Sequence, residues 1–443
     1  MPFIFRHLSR LLAAAGVTFL VPMLPGADVT ASPDPAVQQL IEQNRKLQER
    51  LDAQQKEIDE LKARLDAAPP ANAAPPTAPV RRETDDSTGP DIAGFTGSSH
   101  TIRISGDAGL AVMSSGADGA YPNARFTVDE ARLFVEAPIW NSVYFFGGLD
   151  LASRESPDDA FHLGEFYVDA EGLFGLNHGH GLTLRAGYFN IPFGEEYQNR
   201  HVMENPLITH SLADIWGYEE GVEAFGSFGP AQYTVAVQNS GTATKDKSIT
   251  ARLGFDPIKH LHLSVSAHNT GQVDTATDYL SQIWFGGAFF RGLSPTTGTK
   301  DFRVSLYQAD ATVHWQGGHF GAALGLADYS DDNPTVEESR HLHYGSAEVV
   351  QNFNDSLYGA VRFSEIRAPH GYPLMGLGNG GKYFYNPFAP LTTDLQRLSV
   401  GLGYIFGPPL VWKVEYTWER GHLVAGPVRD DENLLSTELG IRF

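Results

Sequence analysis

Thr101-Ile102-Arg103-Ile104-Ser105-Gly106-Asp107-Ala108-Gly109-Leu110-Ala111-Val112 sets Ile102, Ile104, Gly106, Ala108, Leu110 and Val112 on one face of an extended chain. Thr101, Arg103, Ser105, Asp107, Gly109 and Ala111 take the other face. Alternation at every second residue is the period of a β-strand, whereas a helix would scatter these charges around its circumference. The dyad recurs at Ala131, Leu133 and Val135 against Arg132 and Glu136, and at Val143, Phe145, Gly147, Leu149 and Leu151 with Asp150 opposite. It returns at Leu261, Leu263, Val265 and Ala267 against His262, Ser264, Ser266 and His268, and at Trp412, Val414, Tyr416 and Trp418 against Lys413, Glu415, Thr417 and Glu419.

A soluble sandwich or propeller also alternates, so three further features carry the decision. Aromatics gather near strand ends (Tyr144, Phe145, Phe146; Trp412, Tyr416, Trp418), as at a membrane interface. Short turns such as Phe406 to Leu410 are set against long insertions such as residues 366 to 395. The last alternating stretch runs Leu435, Thr437, Leu439, Ile441, Phe443 on one face, and a terminal Phe on such a strand resembles the signal by which outer-membrane proteins are recognised by their assembly machinery. The segments are about ten residues long, as expected of an all-β transmembrane barrel of antiparallel strands. Residues 91 to 443 number 353, and at roughly 40 to 45 residues per hairpin they make 16 strands, with 14 or 18 as neighbours. A barrel of that width leaves an aqueous channel.

Ahead of the barrel the chain reads differently. Arg6, His7 and Arg10 precede an apolar stretch from Leu11 to Leu24, and small residues come after it. This is a signal peptide over residues 1–31, cleaved after Ala31 or, as the weaker choice, Ala27. Residues 32–66 hold a heptad seam, Val37, Leu40, Asn44, Leu47, Leu51, Gln54, Ile58, Leu61, Leu65, which predicts an oligomerising coiled coil. Residues 67–90 are a linker rich in Pro and Ala that holds this helix away from the barrel, so its apolar stripe is expected to meet copies of itself.

Across 443 residues, 32 Lys plus Arg against 53 Asp plus Glu give a formal charge of -21, and there is no Cys. The acidic balance argues against nucleic-acid binding, which needs basic residues to release counterions. The missing Cys removes disulfides, thiolate metal sites and thiol nucleophiles. Gly376-x-Gly378-x-x-Gly381 matches a dinucleotide fingerprint only on paper, because Pro373 precedes it and Tyr383, Tyr385 and Pro387 stand where a helix should begin. The pairs His178/His180, His260/His262 and His341/His343 share a strand face but lack a third ligand of clear spacing. No Gly-x-Ser-x-Gly elbow occurs. Neither a cofactor nor an enzymatic activity is expected.

Leu184-Arg185-Ala186-Gly187-Tyr188-Phe189-Asn190-Ile191-Pro192-Phe193-Gly194 resembles a strand end of the phosphate-selective porin O and P family. Glu130-Ala131-Arg132-Leu133, Gly221-Val222 with Gly226 and Tyr233 to Gly241, and Ala251 to Pro257 are similar to further segments of that family in the same order. The resemblance implies a trimeric 16-stranded channel with a coiled coil before the barrel, lying in the outer membrane of a Gram-negative bacterium with the coiled coil in the periplasm. This chain departs from the family where a basic residue usually precedes Gly-Val, carrying Glu219 and Glu220 instead.

The expected pore lining is a mixed wall of Arg103, Asp107, Arg132, Glu136, Asp150, Glu165, Tyr167, Asp169 and Arg185. Residues 195 to 217, with Glu195, Glu196, Arg200, His201, Glu204, His210 and Asp214, are the expected constriction loop. The barrel's 41 acids against 22 bases predict a weak cation preference. The function expected is passive diffusion of small hydrophilic solutes or ions. The alternative is a structural protein whose coiled coil tethers a periplasmic or cell-wall partner while the barrel anchors it.

Overall fold

The computed structural model describes residues 102–140, 142–154, 162–172, 181–240, 246–274, 299–333, 338–379 and 391–443. The expected signal peptide, coiled coil and linker lie outside these residues, as do His178, His180 and Gly381. The strands are β1 (Arg103–Ser115), β2 (Arg125–Trp140), β3 (Val143–Ser153), β4 (His162–Ala170), β5 (Thr183–Asn190), β6 (Tyr218–Phe228), β7 (Ala231–Asn239), β8 (Lys247–Ile258), β9 (Leu261–Asn269) and β10 (Val273–Asp274). They continue with β11 (Asp301–Trp315), β12 (Gly318–Asp331), β13 (Arg340–Asn352), β14 (Leu357–Tyr372), β15 (Thr392–Gly407), β16 (Leu410–Leu423), β17 (Val428–Arg429) and β18 (Leu434–Arg442). With the two-residue β10 and β17 set aside, 16 long strands remain. Each pairs antiparallel with its neighbours, β9 meets β11, β16 meets β18, and β1 bonds both β2 and β18. The sheet is therefore a closed barrel with no free edge.

Closure ends at Phe443. Its N–H donates to the Gly106 carbonyl and its carbonyl accepts from the Gly106 N–H, at 2.9 and 3.0 Å. Its ring lies over Gly106, where an added Cβ would come within 2.7 Å of it.

The two-residue period sorts side chains as expected around most of the wall. Leu110, Leu163, Val222, Leu253, Val265, Val361, Leu402 and Trp412 are exposed on the outer face. Asp107, Glu136, Arg185, Glu223, Arg252, Arg362 and Glu415 are buried on the inner one. So large an outward apolar surface is suited to lipid rather than water. At the short-turn end it is rimmed by exposed Trp140, Phe228, Trp315, Phe353 and Phe406. Phe146 departs from the expected aromatic rim, because it points inward and stacks on Phe134 and Tyr167.

On β11–β16 the strands run 13 to 16 residues instead of the expected ten. The extra length replaces the ends of the expected 366–395 insertion, since β14 continues to Tyr372 and β15 begins at Thr392. In this added part the sidedness inverts. On β14, Val361 and Phe363 face out with Arg362 and Ser364 inside, but then Glu365 and Arg367 face out with Ile366 and Ala368 inside. The polar outer residues begin at Ser305, Asp328, His343, Glu365, Gln396 and Arg420. Measured on the strand register, this boundary drops two residues between β12 and β13 and two more between β13 and β14. That is about one residue per strand over the five steps, as a level plane requires of strands tilted about 40°. Beyond the plane the wall follows the rule of a soluble protein, apolar inside and polar outside.

Candidate functional site

The connection between β5 and β6, residues 191–217, is the longest fully described loop, and it turns into the barrel. Asn190 closes its base, its side-chain oxygen accepting from the Gly217 N–H at 3.0 Å while the Ile191 N–H donates to the Gly217 carbonyl at 2.7 Å. Gly194 makes the first turn at φ +72, and its N–H donates to Ser266 Oγ at 3.1 Å. One 3-10 turn follows at Glu196–Asn199.

Toward β11–β15 the loop is held by hydrocarbon. Ile191, Phe193, Leu212 and Ile215 are at most 3% exposed, in one cluster with Val304, Leu306, Leu342, Ile366 and Leu395. This is the apolar interior made by the inverted strand ends. Burial of the loop's four large side chains contributes on the order of 8 kcal/mol, an upper figure because the unfolded chain already hides some of that surface.

Elsewhere the loop is held by inward-facing charges. Glu415 accepts from the backbone N–H groups of Ile208 and Thr209 and from the Thr209 hydroxyl. Arg362 donates to the Thr209 carbonyl at 2.8 Å and to Asn205 Oδ1 at 3.0 Å. Arg397 donates to the His210 carbonyl at 2.7 Å. Lys413 donates to the Val202 and Leu207 carbonyls at 2.6 and 3.1 Å and lies 2.8 Å from Glu438. From β2, Glu130 accepts from the Val202 N–H at 3.0 Å and lies 2.7 Å from His201 Nδ1.

The expected constriction residues are all on this loop, and each of its carboxylates meets a partner. Glu195 lies 3.0 Å from Arg252 and 3.4 Å from His262. Burial opposes its ionisation, but the Arg252 guanidinium, the hydrogen bond from His262 and that from Ser264 outweigh burial and hold its pKa down to about 2. Glu196 accepts from Ser211, and burial pushes its carboxyl above the ordinary range despite Arg362 3.9 Å away. Glu204 pairs with Arg442. Arg200, His210 and Asp214 are gathered together, with Arg200 3.1 Å from Asp214 and 4.3 Å from the Trp216 ring. His210 Nδ1 lies 3.6 Å from Asp214.

The nine expected lining residues sit on the inner faces of β1–β5 in two groups. In one, Asp107 pairs with Arg132 at 2.8 Å, Arg132 with Glu130 at 3.1 Å, and Arg103 with Glu136 at 3.8 Å. Asp150 lies beside Arg132 in register. In the other, Arg185 pairs with Asp169 at 2.8 Å and Glu223 at 3.5 Å, over the Tyr167 ring at 3.8 Å. Glu165 accepts from the Asn190 N–H at 3.0 Å. The sequence reading missed Glu130, Arg252, Arg362 and Arg397 as partners of the loop. The dyad at 412–419 had already placed Lys413 and Glu415 on one face, but no local signal says what that face meets.

Among the described residues the other motifs assemble no chemistry. Gly376 takes φ +58 in a turn, and the described residues after it, 377–379, form no helix. His262 lies 2.6 Å from Asp256, while His341 faces outward beside Asp328 at 2.8 Å. Among the described residues no group of three or more His, Cys, Asp or Glu is placed to hold a metal ion.

No protein-family model matches the chain, and no curated protein sequence matches it. Solved structures do. The outer membrane channel DcaP of Acinetobacter baumannii aligns at TM-score 0.55 and 10% identity, over 77% of this chain and 97% of that one. OmpT, an outer membrane protein of Vibrio cholerae, aligns at TM-score 0.51 and 10% identity, over 79% and 100%. OprB of Pseudomonas putida aligns at TM-score 0.51 and 9% identity, over 78% and 94%. At these identities the likeness is one of architecture: the chain folds as a closed 16-stranded antiparallel barrel of the kind found in outer-membrane porins.

Proposed function

We propose that this chain is an outer-membrane porin that passes small hydrophilic solutes or ions down their gradient through a charged constriction at residues 191–217. One observation carries the reading: the loop crosses the lumen and is held there by inward-facing charges from β2, β8, β14, β15 and β16. In such a place wall charges act through little screening solvent and govern which solutes enter. The nine lining residues from Arg103 to Arg185 form the approach to it. Because each loop acid faces a partner, the cation preference is a small one.

Each segment of the chain then has a role. Residues 1–31 direct export, residues 32–66 assemble subunits into a homotrimer in the periplasm, residues 67–90 space them from the barrel, and residues 91–443 span the membrane. Phe443 ends the strand read by the assembly machinery. Transport of this kind needs no cofactor and no catalytic group.

The test is a planar bilayer holding the purified protein with a salt gradient across it. Stepwise conductance with a reversal potential slightly on the cation side is expected. Absence of conductance from correctly folded protein would leave the tethering role as the better reading.

A further inference from the structure

On β14–β16 the apolar outer face is filled by large side chains, with Val361, Val400 and Tyr416 in register and Phe363, Leu398 and Trp418 in the row beside them. Across β8–β13 the same face is hollow. Ala251 on β8 stands opposite Ala267 on β9, and Ala309 on β11, opposite Val265, lies one diagonal step from Ala267. Leu253, Val265, Tyr307 and Leu324 rise around these three alanines and leave an open, mostly apolar groove of about 670 Å³. One end of it is polar. His343 on β13 lines the groove opposite Leu326, at the level where the outer face turns polar. Arg367 on β14 is the cross-strand neighbour of His343, and the Cβ atoms of such a pair lie about 5 Å apart. The Arg367 side chain is 64% exposed and spends its Nε on Glu365 at 2.7 Å, so its guanidinium keeps further N–H donors. Asp328, at the same level, is bound by His341 at 2.8 Å.

We propose that this groove holds one acyl chain of a phosphorylated lipid from the surrounding membrane, with the phosphate bound by Arg367 and His343. The inference concerns the outer wall and does not depend on conduction through the barrel. A chain lying in the groove meets hydrocarbon beneath it and on both sides, whereas on the filled wall of β14–β16 it meets one flat face, so the groove covers more of its apolar surface. The guanidinium of Arg367 offers paired N–H groups that match phosphate oxygens, and the His343 ring adds a donor beside it. The carboxylates at this end, Glu365 and Asp328, are each bound to a cationic or imidazole partner, which lessens their repulsion of a phosphate. The alanine floor sets where the chain lies, and the Arg–His pair selects a phosphorylated head over a neutral one.

The test is native mass spectrometry of the full-length protein released from dodecyl maltoside micelles that contain dodecyl phosphate, a single chain with a phosphate head. Wild type should keep one dodecyl phosphate per barrel. Val400→Trp, which adds bulk to the exposed outer wall away from the groove, should keep it too. Ala267→Trp fills the floor and should lose it. Arg367→Gln should hold several-fold less dodecyl phosphate, with the neutral dodecyl maltoside taking its place. Equal retention by wild type, Ala267→Trp and Arg367→Gln would mean a nonspecific coat and overturn the site, as would no retention by wild type. Loss in Ala267→Trp with full retention in Arg367→Gln would overturn the phosphate contact. Ala309→Phe fills the same floor with a smaller ring and keeps the groove testable should Ala267→Trp fail to fold.

Discussion

Glu415→Ala should loosen the loop while leaving the barrel intact. The carboxylate, 1% exposed on β16, accepts from the Ile208 and Thr209 N–H groups and the Thr209 hydroxyl. Hydrogen bonds to a charged group each contribute about 1.5 to 3 kcal/mol, but water entering the space left by alanine would satisfy part of what is lost. A net cost of about 3 kcal/mol is the working figure, which raises the population with residues 205–210 displaced roughly 100-fold. The apolar contact toward β11–β15 is untouched, so the loop should swing about that anchor rather than leave the lumen. The strand ladder of β16 with β15 and β18 is made by backbone groups and should also persist. Single-channel recording should show larger and noisier currents than wild type, while the folded form keeps its resistance to heat and detergent on a gel. Wild-type noise and conductance in a folded Glu415→Ala protein would refute the reasoning, since the carboxylate would then not be positioning the loop.

Deleting residues 37–66 should leave the barrel able to insert, because the closed sheet contains its own hydrogen bonds, but should weaken subunit association in cross-linking. Removing Phe443 should lower outer-membrane levels far more than the stability of protein already folded, since one lipid-facing ring contributes only about 1 to 3 kcal/mol. Unchanged membrane levels would remove its role as an assembly signal. Glu195 has its pKa held down to about 2 from an ordinary 4.5, so its contact with Arg252 and His262 is fully stabilising above about 4.5 and is lost as pH falls through about 2. Hydrogen-exchange protection at residues 194–198, taken relative to the intrinsic rate at each pH, should therefore be constant from pH 7 to 5, and a loss of protection already in that range would contradict the pairing. The weak cation preference should shrink at 1 M salt, where the Debye length is about 3 Å. An anion preference at low salt would mean that the inward arginines outweigh the loop acids.

The strands themselves were legible because their signal is local. In Ile102–Val112 each side chain's face is set by its parity, with an exposed apolar outer face against polar and paired charged groups on the inner one. The same logic placed Arg132, Arg185, Lys413 and Glu415 on the inner wall and gave a count of 16 from segment lengths. The segment 195–217 stood out because it is too long and too polar for a turn. What parity cannot carry is which inner faces meet across the barrel. Glu415 lies more than 200 residues from Thr209 in the chain, and Arg252 lies 57 from Glu195, so their pairing depends on closure of the ring and inward folding of the loop. The inversion on β14, from Phe363 outside to Ile366 inside, keeps the same two-residue period with the apolar phase reversed. Only the closed barrel decides it, because there the inner face meets the hydrocarbon of the inward loop, Ile191, Phe193, Leu212 and Ile215, while the outer face carries Glu365 and Arg367.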